Sequence, residues 1–405
     1  MNNQPAGRLN YLDQFRGYTV FGMIIVNFLG GFHQQIHPIF HHHNTYCSYP
    51  DTIMPQFFFA VGFALRYTMV KRLKSEGWTQ AHLRIVRRVF VLFIIAAVFH
   101  GFIDDVGDNW QTITDKGLWY WIGENSSRNL FQTLTHIAVT TLWVLPVIGQ
   151  RWPIRLLWLL GSAALHVWCS HEFYLKYALE RPVIDGGPLG FLTWTIPVLA
   201  GSFVSDFLTQ PNVKSIFAKL MIAAVVLMGL GYGLSCLKYP FTPIESAGTP
   251  RIMSIVEPKV IEIAPPPFMP PYYPRQPLAT YEQRNHINDY PQYGPVSLEE
   301  IYSLWTMSQR TGSVSYLTFA TGFSILVLAL CYVIFGQTRQ IGIFRTLGSN
   351  ALVAYIVHGF VILAAVWFLH KDGPLWSVML GLGVAMGVTW LVCYALERRG
   401  WYVRV

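Results

Sequence analysis

The sequence predicts an all-α, polytopic integral membrane bundle of about ten transmembrane helices. Two observations carry that expectation. Of 405 residues, 53% are hydrophobic and only 12% are charged, with a mean hydropathy of +0.36. Soluble domains carry roughly 25% charged residues. The apolar residues also gather into runs close to the ~20 residues that cross a hydrocarbon core. A segment facing lipid must satisfy its own backbone groups, so these runs are expected to be helices.

The runs lie at 15–32, 52–70, 86–103, 130–148, 154–174, 189–208, 216–237, 316–335, 347–369 and 375–397. The first follows a polar stretch of fifteen residues, and no small-residue cleavage site succeeds it. It therefore reads as a retained span and not as a removed signal peptide. Orientation comes from Lys and Arg in the short loops. The loop after the second run carries Lys71, Arg72, Lys74, Arg84, Arg87 and Arg88, which assigns it to the cytoplasm. Alternation then puts Arg151, Arg155, Lys214, Arg339, Arg345, Arg398, Arg399 and Arg404 on that same side. The opposite loops hold few cations, diluted by Asp104, Asp105, Asp108, Asp115 and Glu124. Both termini are then cytoplasmic, and the expected location is a bacterial inner (cytoplasmic) membrane.

Composition also excludes some functions. A net charge of +8, explained by orientation, does not call for nucleic acid. Five cysteines with neither a CxxC pair nor zinc-ligand spacing argue against a metal or redox centre. The chain divides into a membrane domain at 1–238, an extracytoplasmic insert at 239–315 and a second membrane domain at 316–405. The insert contains PPPFMPPYYP at 265–274, which favours extended polyproline II and blocks helices. It reads first as a poorly ordered spacer and second as a cover over the outer mouth.

Between the first two runs lies NFLGGFHQQIHPIFHHHNTYCSYPD, from Asn27 to Asp51. Its outward-facing loop, 30–51, holds His33, His37, His41, His42 and His43. A neutral imidazole relays protons near pH 7 and can attack an activated acyl group. Asp51 opens the second run, where the helix dipole favours a carboxylate and where it could orient an imidazole. Other polar residues fall inside the runs, where they are costly and informative. Asp13 and Arg16 lie i,i+3 at the start of the first run and can pair on one face. Asn27 is about three turns beyond Arg16. Asn350 and His358 are eight residues apart, slightly over two turns, near one face of the ninth run. His100, His136, His166 and His171 read as packing residues.

These residues resemble the heparan-α-glucosaminide N-acetyltransferase family, part of a wider group of transmembrane acyltransferases. The opening RLNYLDQFRGYTVFGMIIVNFLGG looks like that family's R-L-x-x-x-D-x-F-R-G followed by V-N-x-x-G-G. DTIMPQFFFAVG, LFQTLTHIAVTTLWVL and GSNALVAYIVH resemble three further stretches in the same order. The resemblance covers most of the membrane core. It implies transfer of an acetyl group from cytosolic acetyl-CoA to an amino sugar or glycan across the membrane, with no metal. It also implies a catalytic loop histidine ten residues before the loop's aspartate, which is His41 here. This loop is three residues longer than the family's, so His42 and His37 stay open as alternatives. The resemblance does not extend to the family's long lumenal N-terminal domain. Under this resemblance Asp51 fixes the imidazole tautomer, Asn27 or Asn350 donates to the developing oxyanion, and His358 is the reserve histidine. Arg16, Arg345 and the Lys71–Arg88 loop are the candidate cations for CoA phosphates, with Asp13 as the partner of Arg16. The bilayer is the other expected partner, and a homodimer is compatible with the reading. Two other classes compete: a transporter or flippase lined by the polar span residues, and a metal-binding protein with the His41, His42, His43 run and His33 and His37 as ligands.

Overall fold

A computed structural model describes residues 9–32, 36–44, 46–99, 106–125, 131–180, 183–209, 215–237, 267–268, 303–336, 339–369 and 373–403. Among these residues the chain is all-helical. The helices are α1 (Asn10–Leu29), α2 (Tyr49–Ser75), α3 (Gly77–Val98), α4 (Val106–Lys116) and α5 (Leu118–Asn125). They continue as α6 (Thr133–Ile148), α7 (Trp152–Cys169), α8 (Leu175–Glu180), α9 (Phe191–Leu208) and α10 (Ile216–Ser235). The C-terminal set is α11 (Val314–Phe335), α12 (Gly342–Ser349), α13 (Ala351–Phe368) and α14 (Leu375–Arg398).

A helix lies over each of the ten predicted runs, but fewer pass a test of length and apolarity. Among the described residues five helical stretches are long and apolar enough to cross a membrane: Tyr49–Ser75, Gly187–Leu208, Ile216–Ser235, Val314–Phe335 and Leu375–Arg398. A sixth is counted if α12 and α13, bent by 96° at their junction, form one broken span. The outward faces of α3, α7, α10 and α14 carry exposed Phe90, Leu157, Val225 and Leu380. Apolar side chains on that scale suit a hydrocarbon surround.

The helix starts depart from the predicted runs for identifiable reasons. α1 begins at Asn10 because its polar first turns are buried under residues 339–341. Asn10 donates to the Arg339 carbonyl at 2.5 Å, and the Gln14 side chain accepts from Ile341 N–H at 3.0 Å. α3 begins at Gly77, well before 86, and its first turns run on a polar surface. α4 and α5 occupy part of what reads in sequence as a plain outer loop. His33, His100 and Lys214, with most of the insert, lie outside the described residues.

α2 is the hub. It packs against α1, α3, α6, α9 and α11. Its tightest partner is α9, where Gly62 sits against the backbone of Val198 and Gly201 against that of Phe59. A Cβ at either position would collide with backbone, which cannot yield. Small residues at a crossing let two helices approach closely, the usual means of packing where lipid supplies no hydrophobic drive. Farther along α2, Arg66 and the buried Arg155 of α7 both bond to Asp206 of α9. Arg66 also donates to the carbonyls of Ile148 and Gln150, closing the end of α6. The opposite end of α2 carries the histidine loop.

Candidate functional site

The site is built on the first turn of α2. Ser48 caps the helix and Asp51 stands in its first turn, where unsatisfied N–H groups favour an anion. Asp51 is 1% exposed, and its two oxygens divide the work. Oδ2 accepts from Ser48 N–H at 2.9 Å, from the Ser48 hydroxyl at 2.7 Å and from His43 N–H at 3.4 Å. Oδ1 faces His42 Nδ1 at 2.8 Å. A carboxylate so engaged accepts, so Nδ1 carries the hydrogen and Nε2 holds the lone pair. His42 is half exposed, at 50%, while its partner is buried. Burial alone lowers the His42 pKa, but the bond to Asp51 and that residue's charge outweigh it, and the net shift is upward from the ordinary value.

The histidine that meets Asp51 is therefore His42. His41, selected by its spacing from Asp51, is buried at 8% exposure. The loop turns through the short helix Pro38–Phe40 before reaching Asp51. His37 is exposed, and its Nδ1 accepts from Ile39 N–H at 3.2 Å, so it serves the local turn. His43 packs its ring on Tyr46 at 4.4 Å. Cys47 is fully buried; burial, and then the Asp51 charge, push its thiol well up, which disfavours a thiolate.

The remaining sequence candidates fall into separate groups. Asn27, in the last turns of α1, has its Nδ2 3.0 Å from His358 Nε2. His358 Nδ1 lies 3.2 Å from the Ala354 carbonyl, which only accepts, so the ring is the Nδ1–H tautomer and Nε2 accepts from Asn27. Asn350 and His358 do not form a joint face. The chain leaves helical geometry at Asn350, with φ −128° and ψ 46°, at the α12–α13 bend. The Asn350 amide instead ties down the C-terminal tail, donating to the Trp401 carbonyl at 3.3 Å and accepting from Val403 N–H at 3.1 Å. Arg345 pairs with Glu397 at 3.0 Å, and Thr346 donates to that carboxylate at 2.7 Å. Asp13 is buried in the first turn of α1, its carbonyl packed against Gly348 of α12. Arg16 and Arg72 lie close enough to Arg88 for their charges to act on it, which gathers cations from α1, α2 and α3 at one end of the bundle. His136 packs 6.2 Å from Trp194, and His166 lies 6.1 Å from Tyr174, as packing residues do.

Sequence reasoning missed the floor and the clasp of the site. Trp194 of α9 is fully buried, stacked on Phe58 of α2 at 4.4 Å and edge-on to Tyr316 of α11 at 6.3 Å. The Tyr316 hydroxyl donates to the Asp51 carbonyl at 2.6 Å, and Trp194 Nε1 donates to the Asp185 carbonyl at 2.7 Å. The segment before α11, assigned from sequence to the insert, is largely buried over 303–313. Its Arg310 N–H donates to the Asn44 side chain of the histidine loop at 3.2 Å, while its carbonyl accepts from Gly186 N–H at 3.1 Å. The Arg310 guanidinium reaches the Ala178 and Leu179 carbonyls at 3.2 Å and 3.0 Å, capping the end of α8. Upstream, Phe268 N–H donates to the Cys47 carbonyl at 2.9 Å, and its ring packs on Phe319 and Phe323. These parts of the insert are packed structure, not spacer. The signal available in sequence was the change from proline-rich to SQRTGSVSY, in which Ser313 caps α11.

Among the described residues no three His, Cys, Asp or Glu side chains are grouped as a metal ion would require. No protein-family model matches the chain, and no curated protein matches its sequence.

Proposed function

We propose that the chain is a multi-pass membrane acyltransferase that moves an acetyl group from cytosolic acetyl-CoA to an extracytoplasmic amino sugar or glycan. One observation carries the reading: His42, half exposed, bonded through Nδ1 to the buried Asp51 at the mouth of α2. That is the arrangement of a base whose tautomer is fixed by a carboxylate. In the proposed step Nε2 takes the proton of the acceptor amine or hydroxyl as the acceptor attacks the thioester carbonyl. The C–S bond breaks, and the thiolate of CoA receives the proton as it leaves. The longer route forms an acyl-imidazole on Nε2 first, which the acceptor then cleaves.

Under this reading the ten helical stretches are ten spans with both termini cytoplasmic, as the Lys and Arg distribution implies. The cluster of Arg16, Arg72 and Arg88 then lies on the donor side and suits the phosphates of CoA. Arg345 is engaged with Glu397, and so is a weaker candidate for that role. Asn27 is exposed on α1; one of its amide hydrogens goes to His358, and the other is the proposed donor to a developing oxyanion. Asn350, committed to the tail, is not. The order of motifs resembling the heparan-α-glucosaminide N-acetyltransferase family supports the same reaction class.

The test is incorporation of label from radiolabelled acetyl-CoA into a panel of amino sugars and glycans by purified protein in bilayers. Transfer to at least one acceptor, lost on Asp51→Asn, supports the proposal. Absence of transfer from acetyl-CoA to every acceptor, with CoA itself unbound, overturns it.

A further inference from the structure

The carbonyl that Tyr316 holds lacks the partner its own helix would normally give. In an α-helix the carbonyl of residue i accepts from the N–H of residue i+4. For Asp51 that residue is Pro55, which lies inside α2 and has no N–H. A proline ring also crowds the carbonyl four residues before it and pushes it away from the helix axis. Asp51 is buried, and a buried carbonyl left unpaired is costly. Tyr316, itself buried in the first turn of α11, supplies the donor: its hydroxyl meets the Asp51 carbonyl at 2.6 Å.

The bond falls on the residue whose Oδ1 faces His42 Nδ1 at 2.8 Å. Only the short Asp side chain separates that carboxylate from the peptide that Tyr316 holds, so the direction of Oδ1 follows the peptide. Ser48 holds Oδ2 from the cap, at 2.9 Å and 2.7 Å, while Tyr316 holds the backbone from another helix. The aim of the hydroxyl is set by packing. The Tyr316 ring stands edge-on to Trp194, which stacks on Phe58 of α2 one turn beyond Pro55. The segment that leads into α11 also grips the histidine loop, where Arg310 N–H donates to the Asn44 side chain at 3.2 Å. The loop that carries the imidazole and the turn that carries the carboxylate are thus both tied to the entry of α11.

We propose that Tyr316 is a positioning residue for His42, acting through Asp51, and that Pro55 makes the Asp51 carbonyl available to it. Taking the N–H away at position 55 turns a bond within α2 into a bond between α2 and α11. The carboxylate is then referenced to the bundle and not to a helix end, where the chain frays. In the acyl-transfer reading, on which this role rests, a fixed carboxylate keeps the hydrogen on Nδ1 and leaves Nε2 to take the acceptor's proton. Tyr316 exchanges no proton itself.

The test compares Tyr316→Phe with the double variant Tyr316→Phe, Pro55→Ala in the full chain in nanodiscs. The first keeps a ring against Trp194 and removes only the hydroxyl. The second restores an N–H four residues beyond Asp51, so the carbonyl is paired again, but within α2. Three quantities are read: the unfolding midpoint, the rate of acetyl transfer, and the nitrogen NMR shifts of the His42 ring without substrates. The shifts are taken with labelled histidine in alkaline buffer, where the ring is neutral, and are assigned by their loss in His42→Ala. Tyr316→Phe should lower the midpoint and reduce the share of His42 that carries its hydrogen on Nδ1. It should also cut transfer about 10²-fold, the scale of an ångström-sized misplacement. The double variant should recover the midpoint but neither the ring state nor the rate, because α11 still lacks its hold on residue 51. A wild-type ring state in folded Tyr316→Phe overturns the inference. So does a return to the wild-type ring state in the double variant, since the hydroxyl then only pairs a carbonyl. Should Tyr316→Phe not fold, the double variant decides alone. A wild-type protein that transfers no acetyl group removes the acyl-transfer reading, and the ring state still decides whether Tyr316 positions His42.

Discussion

Replacing Asp51 by Asn separates the catalytic claim from the structural one. The carboxylate accepts from His42, from the Ser48 amide and hydroxyl, and weakly from His43. Asn has the same shape but one carbonyl oxygen. If that oxygen stays with Ser48, the new NH2 faces His42 Nδ1. The ring must then accept at Nδ1 and carry its hydrogen on Nε2, the atom that has to take a proton. A neutral bond in place of a charge-assisted one costs about 1–2 kcal/mol of stability. The wrong tautomer costs far more in rate, about 10²–10⁴-fold or ~3–5 kcal/mol of barrier. Ser48→Ala is the matched control, because it weakens the cap by about 1 kcal/mol and leaves the His42–Asp51 bond in place. Thermal unfolding and transfer from labelled acetyl-CoA, measured on the same preparations, distinguish the two variants. The reasoning is refuted if Asp51→Asn keeps the wild-type rate, or if Ser48→Ala loses as much rate as Asp51→Asn.

Three further outcomes are expected. Asn350→Ala releases the bonds to Trp401 and Val403, so hydrogen exchange at 401–403 should accelerate and stability fall by about 1–3 kcal/mol, with kcat little changed. The His42 pKa is raised in the folded protein, so its contribution to stability is complete below the unfolded value of about 6.5 and disappears as pH rises through the folded one. The gap in unfolding midpoint between wild type and His42→Ala should therefore be widest in mild acid and close in alkali; a gap that widens with pH contradicts the assignment. An impermeant thiol reagent should label cysteines introduced at the exposed positions Trp110 and Trp119 from outside and those at 71–85 only after permeabilisation, and the reverse pattern removes the proposed orientation.

The helical class and the helices over the apolar runs were legible because hydropathy and the length of a span constrain them directly, whereas α4 and α5 fall in a stretch without such a run. The His42–Asp51 pair was legible in kind. A carboxylate at a helix start beside a histidine-rich loop restricts the partner to a few rings, but the register depended on a turn at Pro38–Phe40 that spacing alone does not reveal. The α12–α13 bend was hidden because the run read at 347–369 takes Gly348, Ser349 and Asn350 into one continuous span. Only the tertiary demand of the C-terminal tail shows why that amide leaves the helix. The Asp185–Gln309 contact joins residues 124 positions apart. It carries no local pattern, and the neighbouring proline-rich stretch masked the polar segment that delivers Gln309.

The most direct test of the central claim is transfer across a sealed bilayer. Protein is reconstituted in proteoliposomes, with labelled acetyl-CoA on the side of the 71–85 loop and the acceptor on the other. His42→Ala should abolish transfer, falling at least 10²-fold below wild type. His41→Ala, if folded, and His37→Ala should retain most of it. Undiminished transfer by a folded His42→Ala protein contradicts the account.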